Sequence, residues 1–448
     1  MAFTRLKTWT SELLTSSDLN DEFNNLITND ALLGFPRTAD AAFASFKATF
    51  DADADTYIQS STDDELIVAI GGTLFTFKLS SGGLTVEGAS GEPVAVWQPS
   101  INVSDNLIIN GGFQVSQRGT TFNSGTTPAN SDNNYLFDRW RLISDGNNIV
   151  GLDKEVAASA VTASGASAVC KLTVVSAAQF GLFQPIEAAD ARKCRGGKLS
   201  LSFDARKITG APATNIRAAI LSWGAGTADD ATVANDPVSA WNGAGSNPTW
   251  TGTPWLALNT PADIALTDTH VRQKIENVTV ASTACNNLAV AIWCDTDSLS
   301  LGDGIYIGNV QLELGEHSTP FRARRYSEEL SECQRFYERI GGNTALTPLG
   351  VGVFTTSDVA VISDVQYETK RDTPVGTVVG HATLALTMTG HGGASGTSST
   401  VTVVNESLDS ARLTITSVAG MGGAAAAGTG CLVSLTAASD YIDIDAEL

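Results

Sequence analysis

NLIINGGFQVSQRG (residues 106–119) and DGIYIGNVQLELG (residues 303–315) stand far apart in the chain yet look like opposite ends of one domain. In the second, Val310, Leu312 and Leu314 alternate with Gln311 and Glu313, the period of a strand with one buried face. Between the two, Leu199, Leu201 and Phe203 alternate with Ser200 and Ser202 in the same manner. The bracket predicts a closed β-sandwich over residues 101–325.

Composition points the same way for the rest. The 448 residues are too many for one ordinary domain, and about three are expected at ~150 residues each. Forty-two glycines and a charged fraction of only 17% suit short strands and tight turns better than long helices with salt-bridged faces. The expected class is mainly β. A formal net charge of −21 repels polyanions, so nucleic acid is not an expected partner. Two basic runs, Arg192, Lys193, Arg195, Lys198 and Arg322, Arg324, Arg325, lack the interleaved aromatics of single-strand binders and read as solvated or salt-bridged faces. No segment reaches the roughly 18 apolar residues of a membrane span, and the opening MAFTRLKTWTSELL has no apolar core of a secretion signal. The expectation is a soluble chain that is not exported by that route.

Four further segments have their own patterns. Ser16 and Ser17 precede Asp18, Asp21 and Glu22, which predicts a helix start, and Leu19, Phe23, Leu26 and Ile27 then form one apolar stripe. A helix that short needs something to dock on, its own chain or a partner. In residues 36–100, Phe43, Phe46 and Phe50 fall at helical spacing. Phe75, Phe77 and Leu79 then alternate between the glycine pairs at 71–72 and 82–83, a small β-element. Over residues 326–342 a capping Ser327, the acids Glu328 and Glu329, the stripe Leu330, Cys333, Phe336/Tyr337 and the basic Arg335 and Arg339 predict one connecting helix ending at Gly341–Gly342. Residues 343–448 read as a second β-domain, a sandwich, with Val401 and Val403, then Leu413 and Ile415, alternating with threonines. The stretch AGMGGAAAAGTG (residues 419–430) buries little per residue and reads as a loop.

The motifs NGGF, FDRW (residues 137–140), NVQLELG and STPFRARRYSEELSECQRFYER (residues 318–339), in this order, resemble a module of bacteriophage tail-fibre and minor virion structural proteins. The central module is similar to jelly-roll domains of the carbohydrate-binding type, in which first and last strands lie side by side. The opening LKTWTSELLTSSDLNDEFNNLI resembles the segment by which many such appendages join the particle, DTYIQSSTDDELIVAIGG resembles their shafts, and YIDIDAEL their closing strand. What the resemblance implies is a homotrimeric appendage. Leu19, Phe23, Leu26 and Ile27 would serve virion attachment or oligomerisation, other virion proteins would bind through the N-terminus, and assembly would occur in the host cytoplasm.

Chemistry is sparse by comparison. No nucleophile elbow, H-E-x-x-H, P-loop or Rossmann pattern stands in a supporting context, and the chain carries four histidines. Asp295, Asp297 and Asp303–Gly304 miss the EF-hand register, so a plain acidic turn is the first reading. Jelly rolls of this type often hold a structural calcium, which keeps calcium as the alternative, and no other cofactor is expected. The six cysteines are scattered without metal spacing and are expected as packed thiols. Trp140 and Trp293 lie in apolar runs and are expected in the core. Trp241, Trp250 and Trp255 sit among turn residues in NDPVSAWNGAGSNPTWTGTPW (residues 235–255). Their rings either stack on a sugar or pack against their own loop or a neighbouring subunit.

The expected molecule therefore has an N-terminal helical attachment segment (residues 1–35), a helix plus small β-element (36–100), a jelly roll (101–325), a connecting helix (326–342) and a C-terminal β-sandwich (343–448). It binds a bacterial surface glycan without catalysis as a phage tail fibre. The alternatives are a head fibre or capsid decoration protein of the same architecture, or a depolymerase working through two carboxylates.

Overall fold

A computed structural model describes residues 47–49, 57–60, 65–70, 73–80, 83–87 and 93–97, and then 106–447 apart from 157–165, 213, 225–229, 231–235, 252–254, 284, 343–346, 380–383, 388–394, 405 and 421–424. The chain divides into two compact units, Met1–Ile101 and Asn102–Leu448. The stripe Leu19, Phe23, Leu26, Ile27 lies outside the described residues.

In the first unit six strands, Lys47–Thr49, Tyr57–Ser60, Glu65–Ile70, Thr73–Ser80, Gly83–Glu87 and Pro93–Trp97, pair in chain order as one antiparallel sheet. Ile70 faces Thr73 and Ser80 faces Gly83, so each hairpin connection is two residues long, the length for which glycine is favoured. Phe43, Phe46 and Phe50, read at helical spacing, lie outside the described residues; Lys47–Thr49 between them is a strand hydrogen-bonded to Tyr57–Ser60.

The second unit opens with a β-sandwich. One sheet runs, in spatial order, Val271–Thr279, Lys198–Lys207, Gly304–Leu314, Val169–Val174, Val150–Glu155 and Thr121–Phe122. The other runs Trp255–Ala257, Asn215–Trp223, Asn287–Cys294, Phe180–Ile186 and Arg141–Ser144, with Ile264–Ala265 also on Asn215–Trp223. Every pair is antiparallel and most connections cross from one sheet to the other, the organisation of a jelly roll. Leu199, Leu201, Phe203, Val310 and Leu312 are fully buried between the sheets, as their alternation predicts, but Ser200, Ser202, Gln311 and Glu313 on the opposite face are buried as well.

The two bracket segments do meet, but the first is not a strand. Asn110 and Phe113 have φ of 58° and 51°, and the segment lies along the closing strand through four bonds. Leu107 N donates to Leu312 O (2.8 Å) and Val310 N to Gly111 O (2.9 Å), while the Asn106 side chain donates to Val310 O (3.0 Å) and accepts from Leu312 N (2.9 Å). A Cβ on Gly111 would stand 2.0 Å from Val310 O, which is why the position is glycine.

The connecting helix is shorter than its pattern, Tyr326–Gln334, and Tyr337–Gly341 is a strand. Arg325 N donates to Glu328 Oε2 (3.3 Å), so the cap precedes Ser327, which falls in the first turn. The helix cannot continue because Tyr337–Gly341 pairs along Tyr441–Asp445, which also pairs with Val375–Val379. The C-terminal sandwich expected for residues 343–448 is instead a closed six-stranded barrel beside that three-stranded sheet. Gly430–Ser434 closes it by pairing with both Pro348–Phe354 and Leu384–Thr387, which leaves no open edge. Val401, Leu413 and Ile415 are buried, as predicted.

The motif residues converge where the sandwich meets these C-terminal strands. Phe113 stacks on Trp140 (5.3 Å, 24°) and meets Phe137 edge-on (5.8 Å). Asp138 accepts from the Gln117 backbone and side chain, each at 2.7 Å. Arg118 reaches Glu447 (3.4 Å) and Asp445 (3.3 Å), and Arg139 ion-pairs with Glu447 while its guanidinium covers the Phe336 ring at 3.5 Å. In this chain the motif residues hold modules together rather than face a ligand. The basic runs are likewise engaged: Lys193 with Asp190 (2.7 Å), Arg195 with Cys285 O (2.7 Å), Arg324 with Glu329 (3.2 Å).

Candidate functional site

The outer face of the second sheet carries the aromatic cluster. Along Asn287–Cys294, Leu288, Val290, Ile292 and Cys294 point into the sandwich core, while Ala289, Ala291 and Trp293 point outward and are equally buried. Cross-strand rows Gly181–Trp293–Arg217 and Phe183–Ala291–Ala219 mix small and large residues across this face. Small side chains there leave room for rings to lie across the strands.

All three loop tryptophans join this cluster, in different ways. Trp255 is only 6% exposed, edge-on to Trp223 (5.1 Å, 68°) and Phe183 (5.5 Å, 84°). It is a packing residue and leaves the set of rings available to a sugar. Trp250 is half-buried, edge-on to Trp293 (5.6 Å, 79°), and Trp241 is half-buried against the same cluster. Both ride on a hairpin formed by Val238–Ala240 and Thr249–Trp250, which lies over the sheet. Trp140 and Trp293 are fully buried, as expected.

A polar rim adjoins the rings. Arg217, across the strand from Trp293, ion-pairs with Asp263 (2.7 Å) and Asp295 (3.0 Å) and donates to Asn247 Oδ1 (2.9 Å). Gln179 accepts from Gly243 N (3.0 Å), Asp295 from Gly245 N (2.9 Å) and Asp297 from Ala244 N (3.2 Å). Burial pushes the Asp295 carboxyl up against the lowering effect of Gly245 N–H and Arg217, and Asp263 adds to the rise. Indole faces beside amides, carboxylates and a guanidinium are the chemistry that stacks on a pyranose and hydrogen-bonds its hydroxyls.

Asp303 does not join this rim: its Oδ2 accepts from Ser300 N (2.9 Å), while Asp295 and Asp297 hold the hairpin. Among the described residues no three His, Cys, Asp or Glu side chains converge on one point. Gln179, Arg217 and Asp263 went unread in the sequence because only folding brings them together. The covered outer face, in contrast, was signalled by the unbroken apolar run LAVAIWC (residues 288–294), too continuous for a strand with one wet face.

No family model matches the chain, and no curated protein matches it. Among solved structures it is similar to TmCBM61 in complex with β-1,4-galactotriose (14% identity, TM-score 0.27), covering 47% of this chain and 99% of that one. It is similar also to the enzymatically active domain of bacteriophage CBA120 tailspike protein 4 (14% identity, TM-score 0.28; 47% of this chain, 21% of that one). A third is the CBM22-1 xylan-binding domain from Paenibacillus barcinonensis Xyn10C (9% identity, TM-score 0.27; 49% and 100%).

Proposed function

We propose that this chain is a glycan-binding appendage of a phage particle, a tail fibre that recognises the bacterial surface without catalysis. The observation that carries the reading is the placement of Trp241 and Trp250, half-exposed, beside Arg217, Asp263, Gln179 and Asn247 on one sheet face. The motif order that resembles virion proteins supports the particle assignment. A homotrimer joined to other virion proteins through residues 1–35 completes the reading. The ion pairs of Asp263 and Asp295 with Arg217 support binding over catalysis at this rim, since both carboxylates act there as counter-ions.

An array of bacterial surface glycans probed with the purified protein tests it. Binding to a discrete subset is expected, with Trp241→Ala and Trp250→Ala each losing at least tenfold in affinity, as removal of a central aromatic does. No binding to any glycan, or binding untouched by both variants, refutes it. Release of reducing sugar from a bound glycan would favour the depolymerase instead.

A further inference from the structure

The six strands of the first unit sort their residues by the pleat. Register places Val68 across from Phe75, and Leu66, Phe77, Val86 and Ala95 in one row, all on one face. Among the described strand positions on that face none is charged, and the polar ones are Ser60 and Thr73. The opposite face carries Lys47, Glu65, Lys78 and Glu87. A single-layer sheet divided in this way has one side that belongs against another layer. Within the chain that side is not sealed. Val68, Phe75 and Phe77 are half-buried, whereas Phe122 and Phe203 in the sandwich core are at most 1% exposed.

Size and charge select what covers it. Six strands about 4.8 Å apart, of about five residues at about 3.3 Å each, make a face of roughly 29 by 17 Å, or about 500 Å². The stripe Leu19–Ile27, as a helix about 14 Å long and about 10 Å wide, would hide little more than a quarter of it. A second sheet of the same kind matches it in extent, and two such faces together bring roughly 1,000 Å², the size at which a specific interface begins. Copies of a chain with net charge −21 repel one another, and least where the surface is uncharged. We infer that this face is where copies of the chain join. In the homotrimer proposed above, three such sheets turn their uncharged faces to one axis, a closed arrangement that leaves none of them wet. The inference rests on that trimer and adds the surface that makes it.

The test uses the full chain, with photo-reactive p-benzoyl-phenylalanine in place of Phe77 or, on the opposite face, of Thr76. Light scattering at micromolar concentration should give three times the mass of one chain for both. Irradiation should link chain to chain from position 77, onto residues 47–97 of a neighbouring copy, and not from position 76. Phe77→Asp should lower the mass to that of one chain, while Thr76→Asp leaves it unchanged. If Phe77→Asp precipitates, the photo-links still decide. A trimer whose position-77 links fall on residues 1–46 of the same chain, or on no other chain, overturns the face and leaves the trimer standing. A single-chain mass for the unaltered protein overturns both.

Discussion

The guanidinium of Arg118 lies 3.4 Å from the centre of the Tyr337 ring, so the start of the sandwich is stacked on the first strand after the helix. The same guanidinium faces Glu447 and Asp445, and both Arg118 and Glu447 have side chains only 4% exposed. Such a cluster is costly to desolvate and costlier to break.

Arg118→Met should therefore destabilise the second unit by roughly 3–5 kcal/mol, because it removes one of the two guanidinium partners of the buried Glu447 carboxylate. Urea denaturation measures the loss. Adding Glu447→Gln should cost less than the two single losses summed, since the Arg118–Glu447 interaction is lost only once, although Arg139 then loses its carboxylate partner; strictly additive losses would show that the pair is not coupled.

Gly111→Ala should cost about 1–3 kcal/mol as an overpacking change, because the new methyl meets the rigid Val310 carbonyl rather than a side chain that can swing away. Hydrogen exchange reads it locally: the Val310 amide, which donates to Gly111 O, should lose protection before the rest of its strand does.

The limits of sequence legibility have physical causes. Alternation at Val310, Leu312 and Leu314, at Leu199, Leu201 and Phe203, and at Leu413 and Ile415 marked buried strand faces, since period two follows directly from the pleat. Barrel closure was not legible, because pairing of Gly430–Ser434 with two distant strands leaves no local trace. The helix over residues 326–342 was overextended because Phe336 and Tyr337 fit a helical stripe as well as they fit a turn entering a strand. At the site, Trp241, Trp250 and Trp255 drew notice by their turn-rich context. Composition could not tell that Trp255 packs edge-on against Trp223 and Phe183 while Trp241 stays half-exposed.

Trp255→Ala should cost about 3–5 kcal/mol, the usual range for a buried aromatic, whereas Trp241→Ala should stay within about 1 kcal/mol. Thermal unfolding of the two variants side by side checks the ordering. Equal losses would place Trp241 in the core.

Burial, with the Asp236 carboxyl close by, pushes Asp132 up to about 6, against the lowering bond from Ser144 N. The unfolded chain gives up that proton near the ordinary 3.8, so between the two values the native state holds a proton that the unfolded state has lost. Its contribution is complete below about pH 4 and disappears as pH rises through 6. Asp132→Asn should flatten this segment of a urea-midpoint profile between pH 4 and 7; an unchanged slope would assign it to other groups.

All six cysteines are buried thiols, and burial pushes them upward, Cys285 to about 11 and Cys194 and Cys294 to about 12. Thiolate is scarce and shielded at neutral pH. Iodoacetamide should leave all six unmodified by mass spectrometry in the native protein and modify them together in urea. Rapid native labelling of Cys431 alone would mean that the barrel opens independently of the sandwich.

Arg118 and its partner Glu447 are 329 residues apart, and translation at roughly 5–20 residues per second separates their appearance by about 15–65 s. For that interval a half-made chain carries two arginines, Arg118 and Arg139, aimed at a carboxylate not yet synthesised. Closure of the junction is therefore a late event, with a large loop to be closed before it rewards folding. A chain whose synthesis stalls before Tyr441–Asp445 remains unlatched, and the cell's chaperones and proteases can recognise it by that open seam.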